Sequence, residues 1–237
     1  MNVILPLAGA GALTAALALR GALDPNSSLF GPVVSRGPGD DRVIYLTFDD
    51  GPNPEATGPI LEVLAKRDVP AAFFLVGRHA EMFPEIARRV ARAGHELGNH
   101  THHHRKLHCM GRAAIRRELG DAHRAIVQAT ATEPTLFRAP HGYRNPFVAW
   151  EAQRLGYTTF GWTTGFWDSA RPGVEEIRRR VRKSLKPGAI LLLHDGDGYD
   201  PRGDRTQTAA ALPGILDDAR DLGFRFGRLA TLVSRAA

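Results

Sequence analysis

One cysteine, Cys109, stands among 237 residues, so the chain forms no internal disulfide and its redox compartment is left open. Beside His108 and without an orienting partner, that lone thiol reads as a bystander rather than a nucleophile. No nucleic-acid motif occurs and no internal repeat is visible. The fragment Gly9-Ala10-Gly11 lacks both a preceding strand and the third glycine of a dinucleotide fingerprint. Acidic residues are in the minority, 25 against 31 Lys and Arg, leaving a net charge of +6. That surplus is spread as arginine on apparent helix faces (Arg88, Arg89 and Arg92; Arg178 to Arg180, Arg182 and Lys183), which reads as solvated surface. No nucleic-acid partner is therefore expected. Hydrophobic residues at 43% and charged residues at 24% describe an ordinary globular chain, long enough for one large core.

What the chain does have begins at its N-terminus. Residues 3–19 (VILPLAGAGALTAALAL) are apolar and uncharged, at the short edge of the roughly 20 residues that a spanning helix needs. They lack the basic start of a signal peptide, although Ala16-Leu17-Ala18 offers a small-residue cleavage site. Residues 1–22 are read as a membrane anchor or signal segment, and the expected location is membrane-associated or extracytoplasmic. Arg20, Arg36 and Arg42 weakly favour a cytoplasmic side for the remainder of the chain, whereas the chemistry that its later residues carry usually faces outward, so orientation stays open. Residues 23–40, rich in Gly, Pro and Ser, read as a linker to a catalytic domain over 41–237.

From there short β-branched or aromatic runs alternate with helical patterns. Strands are expected at Val43–Phe48, Ala71–Val76, His95–Asn99, Thr135–Arg138, Thr158–Trp162, Ala189–Leu193 and Phe224–Arg228. Helices are expected at Glu55–Arg67, Pro84–Ala93, Arg112–Ala129, Phe147–Leu155, Val174–Leu185 and Gln207–Leu222. Such alternation points to an α/β fold, and about seven parallel strands in this length suit a distorted (β/α) barrel.

The ionisable residues cluster at strand ends. Asp49-Asp50 follow the first strand, His100 to His104 the third, Arg138 the fourth, Asp168 the fifth and His194-Asp195 the sixth. In a parallel barrel these positions share one face. His100 and His104, four apart, would place both imidazoles on one side of a helical turn. With one carboxylate they make a three-ligand metal site that keeps a position open for water. In Thr47-Phe48-Asp49-Asp50-Gly51-Pro52 adjacent carboxylates diverge, so one can bind metal while the other moves a proton. His102 and His103, between the two histidines, are expected to point elsewhere. The loop from Asp195 to Asp204 lacks the glycine and terminal glutamate of a calcium loop and reads as a polar active-site rim.

These strings, with Arg138-x-Pro140-x-Gly142 and Leu192-Leu193-His194-Asp195, resemble the motif series of the polysaccharide deacetylase family, the NodB-homology domain of carbohydrate esterase family 4. The resemblance spans residues 43–230. It implies a metal-dependent hydrolase that removes an N-acyl group, chiefly N-acetyl, from an amino-sugar glycan. The implied cofactor is a divalent metal, zinc first, with cobalt, nickel or manganese as alternatives. Asp50, His100 and His104 would hold that metal. Asp49 would be the base, Arg138 its partner, and His194 the acid, oriented by Asp168. Leu192, Pro140 and Trp167 would line the substrate pocket, and the backbone N–H of His141 would face the oxyanion. Three departures stand out. His141 replaces the usual tyrosine, and Gly165 and Ser169 occupy neighbouring positions of an Asp-x-x-Asp-Trp segment of which only Asp168 is kept. Lipid-linked amino sugars are the alternative substrate, and a non-catalytic glycan-binding barrel the alternative function. Oligomeric state is not indicated.

Overall fold

The computed structural model describes the backbone of residues 4–233 and the side chains of residues 14–233. Helix α1 (Ile4–Leu23) precedes the alternating body. The body runs β1 (Val43–Asp49), α2 (Thr57–Lys66), β2 (Ala72–Leu75), α3 (Gly77–Met82), α4 (Pro84–Arg92), β3 (Glu96–Asn99), α5 (Arg112–Thr130), β4 (Leu136–Phe137) and α6 (Pro146–Arg154). It continues through β5 (Thr158–Thr159), β6 (Thr164–Gly165), α7 (Val174–Ser184), β7 (Ile190–His194), α8 (Thr206–Asp221), β8 (Arg225–Phe226) and α9 (Ala230–Val233). All strand pairs are parallel, in the order β5-β4-β3-β2-β1-β7-β6, with β8 pairing β1.

The sheet is a curled, incompletely closed barrel. Each of the seven expected strands contains or overlaps an observed one, and β6 is an eighth that the sequence pattern did not reveal. Its two residues, Thr164 and Gly165, carry no apolar run. β5 pairs β4, whereas β6, four residues further along the same extended run, pairs β7. One stretch of chain therefore crosses between the two edges of the sheet. The wedge it leaves is filled by the segment read as a linker, where Val34 bridges Phe160 and Arg36 bridges Ala189.

Strand alternation sorts side chains to two faces. On β1, Ile44, Leu46 and Phe48 point outward into the layer under the helices, joined there by Phe73, Leu75, Leu191 and Leu193. Phe48 and Phe73 stack at 5.0 Å between ring centroids, and each such buried ring contributes about 1.5–3 kcal/mol. Tyr45 joins Phe74, Leu136, Phe160 and Ile190 in a second cluster, on the inner face of the curl. Thr47 and Asp49 continue that inner row. Because both faces of β1 are covered, the strand reads as a near-continuous apolar run.

Register then aligns the chemistry, since Asp49 lies opposite His194 across the β1–β7 ladder. Among the described residues no helix is long and apolar enough to cross a membrane. Of the anchor expected at residues 3–19, residue 3 and the side chains of residues 4–13 lie outside the described residues.

Candidate functional site

The metal-type cluster expected from the sequence assembles at the C-terminal ends of β1 and β3. One ligand atom each from Asp50, His100 and His104 lies within 4.8 Å of the others, and all three residues are buried. Asp50 Oδ1 is 3.3 Å from His100 Nε2 and 3.0 Å from His104 Nε2. His100 turns its other nitrogen, Nδ1, to the carbonyl of Arg138 at 2.8 Å, which directs the Nε2 lone pair to the centre. Burial pushes the Asp50 carboxyl up, but the charge of His104 and hydrogen bonds from both histidines hold it well below the usual carboxylate range. An ionised carboxylate and two imidazole nitrogens facing one point are a donor set that fits a divalent metal.

The helical-turn argument for the two histidines fails. Residues 100–104 form a loop, with Thr101 at φ 66° and His104 at φ 56°. The left-handed turn, tied by the Asn99 carboxamide and the Thr101 hydroxyl, brings His104 back beside His100. Asp50 is itself at φ 75°. Non-glycine residues held there store strain, which clusters where function over-determines geometry. His102 and His103 point away from the cluster, His102 toward Glu81 and His103 onto Glu118.

Asp49 leaves β1 on the inner face and meets Arg138, which is fully buried. Arg138 Nη1 donates to Asp49 Oδ1 at 2.7 Å and to Thr47 Oγ1 at 2.8 Å, and Nη2 donates to the Gly161 carbonyl at 2.9 Å. Its guanidinium sits 4.1 Å over the Phe74 ring. Across the cavity, His194 Nδ1 lies 2.9 Å from Asp168 Oδ1, while Asp168 Oδ2 accepts from the His194 backbone N–H and the Thr208 hydroxyl, each at 2.8 Å. Burial alone would lower the His194 pKa. The Asp168 charge and hydrogen bond, helped by Asp50 and Asp49, raise it instead from 6.5 to about 9. An imidazole so held is a proton donor at neutral pH.

Between these groups lies a cavity of about 430 Å³, lined also by His141, Trp162, Gly165, Trp167 and Leu192. Leu192 is nearly buried, and Trp167 is 75% exposed at φ 55°, standing at the mouth. Pro140 is buried in a 3-10 turn with His141, whose Nε2 is 2.9 Å from the Tyr199 hydroxyl.

Comparison with known proteins fits this geometry. The polysaccharide deacetylase family model matches residues 36–160. A chitooligosaccharide deacetylase of Rhizobium leguminosarum bv. trifolii is 41% identical over 78% of this chain and 89% of its own. The chain belongs to the polysaccharide deacetylase family. A peptidoglycan-N-acetylglucosamine deacetylase of Bacillus cereus is 36% identical over 91% of this chain and 97% of its own. Among solved structures, the family 4 carbohydrate esterase PdaA of Bacillus subtilis superposes with a TM-score of 0.77 at 29% identity, covering 86% of each chain. A family 4 pseudoenzyme of Bacillus anthracis superposes with a TM-score of 0.78 at 28% identity, covering 85% of this chain and 68% of its own.

Within this polysaccharide deacetylase the structure adds residues that spacing alone does not single out. Tyr199 closes over His104, ring centroids 5.1 Å apart, and Tyr143 and Asp197 join the lining. They sit in loops whose return to the site depends on the fold. The 195–204 loop is the polar rim that its composition suggests. Asp197 accepts from the N–H groups of Tyr199 and Asp200 and pairs with Arg205 at 2.6 Å, and Asp204 caps Thr206. His79, fully buried, places Nδ1 2.9 Å from the Asp50 carbonyl, supporting the metal-type loop from behind. Its only sequence signal is a histidine on a short stretch with no helical period.

Proposed function

We propose that this protein is a metal-dependent deacetylase of N-acetylated amino-sugar glycans of the chitooligosaccharide or peptidoglycan kind. One observation carries the reading: a base on an arginine, an acid on a carboxylate and a metal-type triad open into one cavity. The named relatives act on such glycans.

Asp50, His100 and His104 would hold the metal, with zinc the first expectation and cobalt, nickel or manganese the alternatives. When bound, the ion supplies Lewis-acid polarisation of the acyl carbonyl and acidification of water. Asp49, oriented by Arg138, takes the proton as water oxygen attacks the acetyl carbon. The backbone N–H of His141 faces the oxygen that gains charge. His194 donates its proton to the sugar nitrogen, because an amine leaves only once protonated. The carbon–nitrogen bond breaks, giving acetate and the free amino sugar. Leu192 offers an apolar wall for the methyl group, with Trp167 and Pro140 bounding the sugar.

The test is release of acetate by the metal-loaded protein from chitooligosaccharide, peptidoglycan and lipid-linked amino sugar. No acetate or formate from any of them overturns the reading and favours a non-catalytic glycan-binding barrel; a family 4 pseudoenzyme stands among the structural neighbours. Membrane association through residues 3–19 is part of the proposal, since that run is apolar and uncharged, and it places the enzyme at a membrane with orientation open. Turnover of the lipid-linked substrate would be its best support; unchanged vesicle partitioning after deletion of residues 1–22 would remove it.

A further inference from the structure

Residues 24–27, between α1 and the body, lie against the outside of the cavity wall. The run 158–165 leaves β4 after Phe160 and meets β7 from Thr163, whose N–H donates to the Ile190 carbonyl, so the peptide groups of Gly161 and Trp162 lack a strand neighbour on one side. Gly161 is buried and Trp162 half-buried, and the peptide groups of both find partners in the segment before β1. Val34 supplies them to the first part, donating to the Thr159 carbonyl and accepting from the Gly161 N–H, each at 3.0 Å. At Trp162 the partner is a side chain. Asn26 Nδ2 donates to the Trp162 carbonyl at 2.9 Å, and Asn26 Oδ1 accepts from the Trp162 N–H at 3.2 Å. One carboxamide stands in for a neighbouring strand.

The segment carrying Asn26 is fixed in turn. Arg144, only 3% exposed, donates from Nη2 to the Ser27 carbonyl at 2.6 Å, and its backbone N–H donates to the Ala22 carbonyl at 3.0 Å. The contacts are too close for side chains. A Cβ on Gly161 would lie 2.3 Å from Asn26 Oδ1, and one on Gly142, at φ 73°, would lie 2.3 Å from Pro25 Cβ. Both partners reach the site. The Trp162 ring lines the cavity 5.7 Å from the Arg138 guanidinium, the Gly161 carbonyl accepts from Arg138, and Gly142 directly follows His141.

We propose that Asn26 is a positioning residue for the Trp162 wall of the cavity, so that the segment following the apolar helix sets how firmly the acyl sugar is held. The kinetic half of the test rests on the deacetylase reading; the spectroscopic half does not. In the full-length, metal-loaded chain, Asn26→Ala should raise KM for chitooligosaccharide about tenfold while kcat stays within about twofold, the pattern of lost uniform binding. Asn26→Asp keeps the acceptor for the Trp162 N–H and should fall between. In a Trp150→Phe, Trp167→Phe background Trp162 is the sole indole, and Asn26→Ala should make its emission more accessible to acrylamide. Unchanged quenching overturns the proposal whatever the kinetics show. So does an unchanged KM with altered melting alone, which marks a purely structural contact. If no substrate is turned over, the deacetylase reading fails separately and quenching still decides.

Discussion

Asp49 and Asp50 are neighbours in sequence with different surroundings, and the separate roles proposed for them rest on what each faces. Asp50 is turned by a positive φ toward two imidazoles, while Asp49 stays on the strand and meets a buried guanidinium. Asp49→Asn leaves the Asp50, His100 and His104 donors in place, so bound metal should still reach about one ion per chain by elemental analysis. Turnover should fall by about 10²–10⁴-fold, the usual contribution of a positioned base. His194 gives a pH prediction. Its folded pKa of about 9 lies above the ordinary 6.5, so its pairing with Asp168 stabilises the fold fully below 6.5 and is lost as pH rises through 9. The proton needed by the leaving amine is lost over the same range. In Asp168→Asn the charge that raises this pKa is gone, and the basic limb of the kcat/KM profile should move to lower pH by about one unit or more. A bound dication would cancel the smaller help from Asp50 without touching the Asp168 contact. An unmoved basic limb would sink the assignment of His194 as acid. That these residues come together was legible in the sequence because the residue types are few and fall at strand ends. Tyr143, Tyr199 and His79 were not, because ordinary residues in loops acquire meaning only when the fold returns them to the cavity.

At the scale of elements, helices α5 and α6 are joined through a single buried carboxylate. Glu151 on α6 receives Arg112 at 2.8 Å and Arg116 at 3.0 Å from α5, and Arg154 at 2.8 Å from its own helix. Hydrogen bonding from Arg116 first, against the opposing effect of burial, with Arg112 and Arg154 adding to it, holds its pKa at about 2 instead of 4.5. A depressed carboxylate stabilises the fold above its unfolded value, and that contribution is lost as pH falls from 4.5 through about 2. Glu151→Gln should cost about 1.5–3 kcal/mol at neutral pH, a fall of about 3–12 °C in Tm for a chain of this size. Its melting curve should also respond less to acid than that of the unmodified protein. A variant that melts at the same temperature at pH 7 would show that the arginines are held well enough by solvent. The long helices were readable from their period, for example Ile115, Leu119, Ala122 and Ile126, all buried on α5. β6 and α3 were not, since two residues or six carry too little periodicity to separate from a loop. The fit of 33–37 into the barrel wedge was hidden for another reason. A Gly-Pro-rich stretch reads as a connector whether it is solvated or hydrogen-bonded to two strand edges.

For the whole molecule the question is how an incompletely closed barrel keeps a strained, ionised centre in order. The strands bring Asp49 opposite His194 and deliver Arg138 from the end of β4 to β1, so the proposed base and acid stand on the strands themselves. Asp50, Thr101, His104 and His141 sit instead in left-handed conformations on the loops above. The Asp50 carboxylate and the two imidazoles converge on one point, and a cation lying between them would engage all three donors at once. The metal-type triad is therefore the region whose stability should depend most on occupancy. An ion that binds only the folded chain stabilises it by about 2.7 kcal/mol at a free concentration one hundred times Kd. For a domain of this size that corresponds to about 5–10 °C in Tm. Stripping the protein with a chelator should lower Tm by that amount, and readdition of zinc should restore it. In His104→Ala the same treatment should move Tm little, because one of the three donors that create the dependence is already gone. Equal shifts in the unmodified protein and in His104→Ala would mean that the ion acts elsewhere on the chain, and the assignment of Asp50, His100 and His104 as the metal centre would fall.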